Sequence, residues 1–419
     1  MVMHFKNIGF ISTRIAGTDG VSLEIEKWAD VLERNGYSCY YFAGELDRRQ
    51  SISFLVEKAH FKHPEIENIA KKCFGRRIRK KGITKEIQKI KDYLKEKIYE
   101  FVEIFDIDLI IPENALSIPL NIPLGLALTE FIAETGMPTI AHHHDFYWER
   151  DKFLVNAVND YLTLAFPPDL PSIKHVVINS LASKELSHRK GISNTIIPNV
   201  YDFANPPADN VDCSKIFQKI GLEEKDLFIL QPTRILPRKQ IEKAIEIVHY
   251  LKLKNPILVI SHDVGYQEEN YKKKIEEYAE KLGVKLVFFS KYVKANSSQA
   301  GNGFFTMEEI YKCADLITYP SSYEGFGNAF LEAVYYKKPT VVNRYSIYIT
   351  DIEPKGFDLI TINNIVTDET IRMIKKVLKD EKRRYDMVNR NYQLGKKYFS
   401  YEVLEELLLP IIKKLEKGW

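Results

Sequence analysis

The stretch Ser322-Tyr323-Glu324-Gly325-Phe326-Gly327-Asn328-Ala329-Phe330-Leu331-Glu332 puts two carboxylates eight positions apart, with two glycines between them. It follows the apolar run DLITYP at Asp315, so a strand ends, glycines free the backbone and a helix begins. Amides at a helix start point outward and the helix dipole adds partial positive charge. Gly325, Phe326, Gly327 and Asn328 are therefore placed to hold a phosphate. The spacing predicts roughly 12 Å between Glu324 and Glu332 along a helix axis, about the length of a diphosphate bridge. One carboxylate could then meet a sugar while the other accepts from both hydroxyls of a ribose.

Thr233-Arg234-Ile235-Leu236-Pro237-Arg238-Lys239 repeats this topology after the strand LFILQP. Arg234 offers a planar fork and Lys239 a point charge, both at the carboxyl end of a parallel strand, where open α/β sheets bind ligands. Cations at a helix start oppose its dipole, which calls for an anion; Arg238 is expected to point to solvent. Near the middle of the first half, His142-His143-His144 precedes Asp145. Strand alternation puts His142 and His144 on one face, but no acid or thiol at metal-site spacing completes a shell, so no metal site is expected. Glu113 and Asn114 end the strand DLIIP, where they could touch a second substrate or cap a helix. Tyr147, in the run Phe146-Tyr147-Trp148 before Arg150, could stack on a sugar ring or pack in the core. Asp106-Ile107-Asp108 has the D-x-D form of metal-dependent transferases, yet its place between a helix and a strand favours capping.

The elements that must carry these residues read as α/β, because short apolar runs alternate with amphipathic stretches throughout. The first series of strands is Ile8–Ser12, Ser38–Ala43, Leu109–Pro112, Thr139–His143 and His175–Ile178; the second starts near Leu227, Ile257, Lys285, Asp315 and Pro339. Between them, Phe203 to Cys213 (FANPPADNVDC) reads as a linker, since its consecutive prolines cannot donate to a sheet. The end, YEVLEELLLPIIKKLEKGW, reads as an amphipathic helix interrupted by Pro410 that returns to the first domain.

Taken together, the Glu324/Glu332 segment, the Arg234/Lys239 segment and Ile197-Pro198-Asn199-Val200-Tyr201-Asp202-Phe203 resemble a family 4 retaining glycosyltransferase of the GT-B fold (glycosyl transferases group 1). The resemblance implies two Rossmann-like domains facing across a cleft. The acceptor domain would comprise 1–203 with the C-terminal helix from about 396 to 419, and the nucleotide-sugar domain 204–395. It also implies roles: Glu324 at the donor sugar, Glu332 at the ribose, Arg234 and Lys239 on the diphosphate with the Gly325–Asn328 backbone assisting, and His144 close to the donor sugar. Gly20 matches a first-loop glycine that lets the backbone approach the donor phosphates. Here the chain departs from the family, because Asp19 stands where a glycine is usual and sets a carboxylate near anionic phosphates. Asp19, His142, Glu113, Asn114 and Tyr147 are the candidate acceptor residues. With no convincing enzymic nucleophile in the first domain, same-face attack with the departing phosphate taking the acceptor proton is expected.

The implied reaction is hexosyl transfer from a GDP-mannose or UDP-glucose type donor to a small anionic or phosphorylated acceptor, such as a glycosylglycerate or sugar phosphate. No cofactor is required, and Mg2+ is compatible but not essential. A lipid or glycan acceptor at a membrane, or a nucleotide-sugar 2-epimerase, stays open. The chain of 419 residues has 60 Lys and Arg against 57 Asp and Glu, a net charge of +3 that gives no general argument for nucleic acid. Within the insertion at about 45–100, residues 71–97 carry 12 basic and three acidic residues, a local +9, and could attract an anionic acceptor or an anionic membrane surface. Cys39, Cys73, Cys213 and Cys313 lie far apart with no C-x-x-C pair. With no signal peptide or membrane-spanning stretch legible, a reduced, cytoplasmic setting is expected, peripheral to a membrane at most. The sequence leaves the oligomeric state open.

Overall fold

The computed structural model describes residues 4–17, 19–207, 212–223, 226–253, 255–263, 269–294 and 303–418. Its contacts divide the chain into Met1–Val200 with Tyr401–Trp419, and Tyr201–Ser400.

The first unit holds seven parallel strands: β1 (Asn7–Ile11), β2 (Ser38–Ala43), β3 (Ser53–Leu55), β4 (Leu109–Pro112), β5 (Thr139–His143), β6 (Ile173–Val177) and β7 (Asn194–Ile196), in the order β3-β2-β1-β4-β5-β6-β7. The helices that position the site are α1 (Gly20–Arg34), α2 (Pro64–Cys73), α3 (Lys81–Ile104), α4 (Ile122–Thr135), α5 (Asp151–Leu154), α6 (Asn159–Ala165) and α7 (Ser180–Lys190). Central strands such as β4 are buried on both faces, which is why they read as unbroken apolar runs.

The basic segment proves to be crossover helix rather than an appended arm. Ile83, Ile87, Ile90, Leu94, Ile98 and Phe101 of α3 join the core of this unit. Six of its twelve cations are in ion pairs: Lys71 with Glu67, Lys72 with Glu86, Arg79 with Asp160, Lys91 and Lys95 with Glu130, and Lys97 with Glu100. The Asp106-Ile107-Asp108 motif is local structure, since Asp108 accepts from the amides of Lys6 and Asn7 at 2.7 and 2.9 Å.

The second unit has a six-stranded parallel sheet of β8 (Leu227–Gln231), β9 (Pro256–Ile260), β10 (Lys285–Phe288), β13 (Leu316–Tyr319), β14 (Thr340–Asn343) and β15 (Ile360–Ile362), ordered β10-β9-β8-β13-β14-β15, beside a short ladder of β11 (Val293–Lys294) with β12 (Phe305–Thr306). Its helices are α8 (Ser214–Ile220), α9 (Ile241–Leu251), α10 (Glu269–Lys281), α11 (Met307–Cys313), α12 (Asn328–Tyr335), α13 (Asp368–Lys379) and α14 (Glu381–Phe399). Tyr201 to Phe203 belong here, because the Tyr201 amide donates to Phe399 and Phe203 packs on Tyr335 and Tyr392. Of the expected linker, residues 208–211 lie outside the described residues.

One expectation about cysteine fails. Cys213 and Cys313, 100 residues apart, form a disulfide between the start of α8 and the end of α11. Their separation hid a pairing that only the packing of these two helices brings about. Cys39 and Cys73 are free and buried.

The chain ends in α15 (Tyr401–Glu416), which returns to the first unit and continues through Pro410 instead of breaking there. Leu404, Leu408, Ile412 and Leu415 form one stripe that packs with Ile25, Trp28 and Leu32 of α1. Among the described residues no helix is long and apolar enough to cross a membrane. Replacing the fully buried Leu408 by Ala is expected to cost about 2–5 kcal/mol in urea denaturation. A loss below about 0.5 kcal/mol, the level of a surface substitution, would contradict the docking of this helix.

Candidate active site

In the second unit, chemistry gathers where β8 and β13 end. Gln231, fully buried, accepts from Thr318 Oγ1 at 2.7 Å and donates to Thr233 Oγ1 at 2.9 Å, locking the two strand ends together. Beyond them the Ser322 amide donates to the Arg238 carbonyl at 2.8 Å, so the two loops run side by side. Between these loops sits Glu324, 6% exposed, with Lys239 Nζ on Oε1 and Arg238 on Oε2 at 2.8 Å. Burial alone would raise the Glu324 pKa, but the charges of Lys239 and Arg238 outweigh it and hold the carboxyl below its ordinary value. Lys239 is lowered by burial, and Arg238 and Arg234 add to that effect. Arg234 itself is exposed and has no ion pair among the described residues.

Gly327 turns the chain into α12 with φ of 124°, and a Cβ there would come within 2.4 Å of the Tyr345 hydroxyl. That hydroxyl donates to the Phe326 carbonyl at 2.7 Å, while the Phe326 ring is buried against Phe399. No side chain caps α12 at Gly327. The helix begins only at Asn328, so Glu324 lies in the preceding loop and the helical spacing expected between the two glutamates does not hold. Glu332 is on α12, where the Tyr311 hydroxyl donates to its Oε2 at 2.7 Å.

In the first unit, β4 and β5 end side by side and bring Glu113 against the histidines. Glu113 is fully buried and accepts from His142 Nδ1 and His144 Nε2, each at 3.0 Å. His142 stacks on Trp28, whereas His143 points to the other face, between Ser117 and His175. Asn114, at φ of 56°, accepts the His144 amide at 2.9 Å and donates to Asp145 at 3.0 Å. Donor atoms of Glu113, His142 and His144 all lie within 4.8 Å of one another, a grouping that the spacing argument missed because the carboxylate comes from the neighbouring strand. In the structure the three side chains are joined by hydrogen bonds, the carboxylate accepting from both imidazoles.

Burial would raise the Glu113 pKa, and the two histidines bring it below its ordinary 4.5. His144 moves above 6.5 because its bond to Glu113 outweighs its burial, while burial keeps His142 below 6.5. Asp19 is the N-cap of α1, accepting from Val21 and Ser22 amides at 3.1 and 3.2 Å and pairing with Arg14 at 3.3 Å. The anomaly at Asp19 thus has a local answer in capping and one cation, and Gly20 is the first residue of the helix.

The glycosyl transferases group 1 profile matches residues 212–394. Mannosylglucosylglycerate synthase of Thermotoga maritima is 32% identical over 439 residues, covering 96% of this chain and 98% of its own length. The chain belongs to the glycosyl transferases group 1 family. The enzyme of the same name from Petrotoga mobilis is 35% identical over 382 residues, covering 85% and 86%. Among solved structures, a Rickettsia africae glycosyltransferase shares the fold with a TM-score of 0.71 at 14% identity, over 99% of this chain and 100% of that one. Anabaena HepE in complex with UDP-glucose does so with 0.65 at 13%, over 99% and 100%. This glycosyltransferase, with two Rossmann-like domains of the GT-B class, transfers a hexosyl group.

Within the glycosyltransferase, Glu324 and Lys239 meet directly, and Glu113, Asn114, His142 and His144 form one network. Arg238 is exposed as expected, and it is also a second cation on Glu324. Tyr147 is half-buried and packs against the core of its unit. Sequence reasoning missed Tyr311 as the partner of Glu332. It also missed His262, which follows β9 and has its pKa lowered to about 4 by burial and by Arg234 and Lys239.

The pKa directions fix a sign for Glu113. Its depressed pKa contributes stability above 4.5 that is lost on acidification, and the raised His144 pKa contributes stability below 6.5 that is lost as pH rises. Glu113→Gln is expected to destabilise by about 1–3 kcal/mol, by leaving buried donors unpaired. The gap from the wild type should be widest between about pH 4.5 and 6.5 in urea denaturation, and a gap independent of pH would contradict the ionised cluster.

Proposed function

We propose that this glycosyltransferase moves a hexose from a nucleotide-diphospho-sugar to a hydroxyl of a glycoside of glycerate, giving a mannosylglucosylglycerate-type product with retention of anomeric configuration. The observation that carries the donor half is the buried Glu324 held by Lys239 and Arg238 at the ends of β8 and β13. In a parallel sheet this edge is where ligands bind. A diphosphate arriving there meets Lys239, Arg238 and the exposed Arg234, and the positive end of the α12 dipole favours an anion. Glu324 is assigned to the donor sugar and Glu332, oriented by Tyr311, to the ribose. His144 is assigned to the donor sugar by resemblance. As the bond to the anomeric carbon breaks, charge builds on the departing diphosphate, and Lys239 and Arg234 stabilise it more than they stabilise the ground state. The leaving phosphate then takes the proton of the acceptor hydroxyl on the same face. These cations supply the charge neutralisation, so turnover is expected to survive chelation of divalent ions.

The acceptor half rests on the names of the two relatives, whose product carries a carboxylate. Pairing of half the basic residues of 71–97 with acids weakens the membrane reading and favours a soluble acceptor. The reaction is assigned to the cytoplasm, as for the soluble acceptor proposed. The test is mass spectrometry of reactions pairing GDP-mannose or UDP-glucose with glucosylglycerate, for a product heavier by one hexose. Sugar epimerisation without an acceptor, or no product from any pairing, would contradict the proposal. Lys239→Ala is expected to lower kcat about 10²- to 10³-fold, the cost of removing one transition-state charge contact. Unchanged turnover in the soluble variant would remove Lys239 from the mechanism.

A further inference from the structure

Beyond β5 the chain presents two cations that the donor chemistry does not use. Asp145 accepts from Asn114 Nδ2 at 3.0 Å on one oxygen and from Arg150 Nε on the other. Asn114 in turn accepts the His144 amide, so a continuous hydrogen-bonded chain runs from the Arg150 guanidinium to the candidate site. This chain grips Arg150 by its Nε alone. Its two terminal nitrogens have no hydrogen-bond partner among the described residues. A guanidinium oriented in this way keeps its bidentate end for a carboxylate.

Lys152, two residues on, makes no ion pair among the described residues, and its ammonium lies 4.6 Å over the Phe153 ring. Desolvation lowers its pKa first, the Arg150 charge lowers it further, and Asp145 offsets this only in part. Both cations thus act on Asp145, Arg150 by contact and Lys152 electrostatically. Elsewhere in this unit Arg14, Arg79, Lys91 and Lys95 each have carboxylate partners. The segment from Asp145 to Arg150 is aromatic, with Trp148 stacked on Phe146 at 4.5 Å and Tyr147 edge-on to Trp148 at 5.0 Å. Cations for a carboxylate beside Tyr147 and Trp148, whose rings could pack against a sugar, suit a glycoside that carries a carboxylate.

We propose that Arg150, with Lys152, binds the acceptor's carboxylate at the end of β5 and so selects glycosides of glycerate over their uncharged counterparts. The inference rests on the acceptor class proposed above. Its test compares kcat/KM for two acceptors differing only in this group, the glucoside of glycerate and the glucoside of glycerol, with one nucleotide-sugar. The wild type should prefer the acid. Arg150→Gln should lower the acid-to-neutral ratio about 10- to 100-fold, mainly through the KM of the acid, as expected for losing a hydrogen-bonded charge. Lys152→Gln should lower it less.

A ratio unchanged in Arg150→Gln overturns the proposal. Because the ratio is taken within one protein, a partly misfolded variant does not imitate the effect. If the wild type uses neither acceptor, the proposed acceptor class fails. The carboxylate site is then decided by calorimetric binding of glycerate alone: weakening by about tenfold or more in Arg150→Gln upholds it, and equal affinity or no binding to the wild type overturns it.

Discussion

An ionised carboxylate taken out of water costs several kcal/mol unless cations and hydrogen bonds compensate it, and Glu324 is such a group. The second unit is arranged around this constraint. Lys239 and Arg238 reach Glu324 because Pro237–Lys239 forms a short turn after β8, and because Ser322 ties its own loop to the Arg238 carbonyl. Gln231 couples the two strands from which the loops depart. Gly327 then lets the chain enter α12 at a φ that other residues rarely adopt, where a side chain would meet Tyr345. The result is a concentration of charge at the edge of the sheet where a diphosphate is proposed to bind.

The first unit meets the same constraint with different residues. Among the described residues no Lys or Arg pairs with Glu113, which relies on two imidazoles, so its charge state is linked to theirs. Asn114, adopting a left-handed conformation, turns the chain so that its side chain serves both His144 and Asp145. Positioning of the proposed acceptor residues thus depends on the register between β4 and β5. Both strands are held in that register by burial on their two faces.

Much of this was legible in the sequence because parallel α/β folds place their chemistry in short segments after apolar strands. The ten strands named from the sequence, the two-unit organisation, the return of the last helix and the places of the motifs at Arg234–Lys239 and Glu324–Glu332 follow from periodicity and turn residues, whereas the edge strands β3, β7 and β15 and the short ladder of β11 with β12 were not read. What was not legible depends on neighbours distant in the chain. Glu113 lies 29 residues before His142, and only the pairing of adjacent strands unites them. Cys213 and Cys313 meet through helix packing, and Tyr311 finds Glu332 from another helix. The helical ruler between Glu324 and Glu332 failed because the glycines delay the helix to Asn328. Arg238 is exposed as read, but its contact with Glu324, which comes from a distant loop, was not legible. The charge of residues 71–97 looked larger in one dimension than in three, since acids such as Glu130 and Asp160 come from elsewhere.

The central claim is that the loops around Glu324 form the nucleotide-sugar site, and hydrogen–deuterium exchange on the intact chain tests it most directly. Addition of a nucleotide-diphospho-sugar should slow exchange at the amides of residues 233–240 and 322–333, while the far ends of the same strands stay unchanged. Binding accompanied by protection elsewhere, with these two loops exchanging as before, would contradict the account.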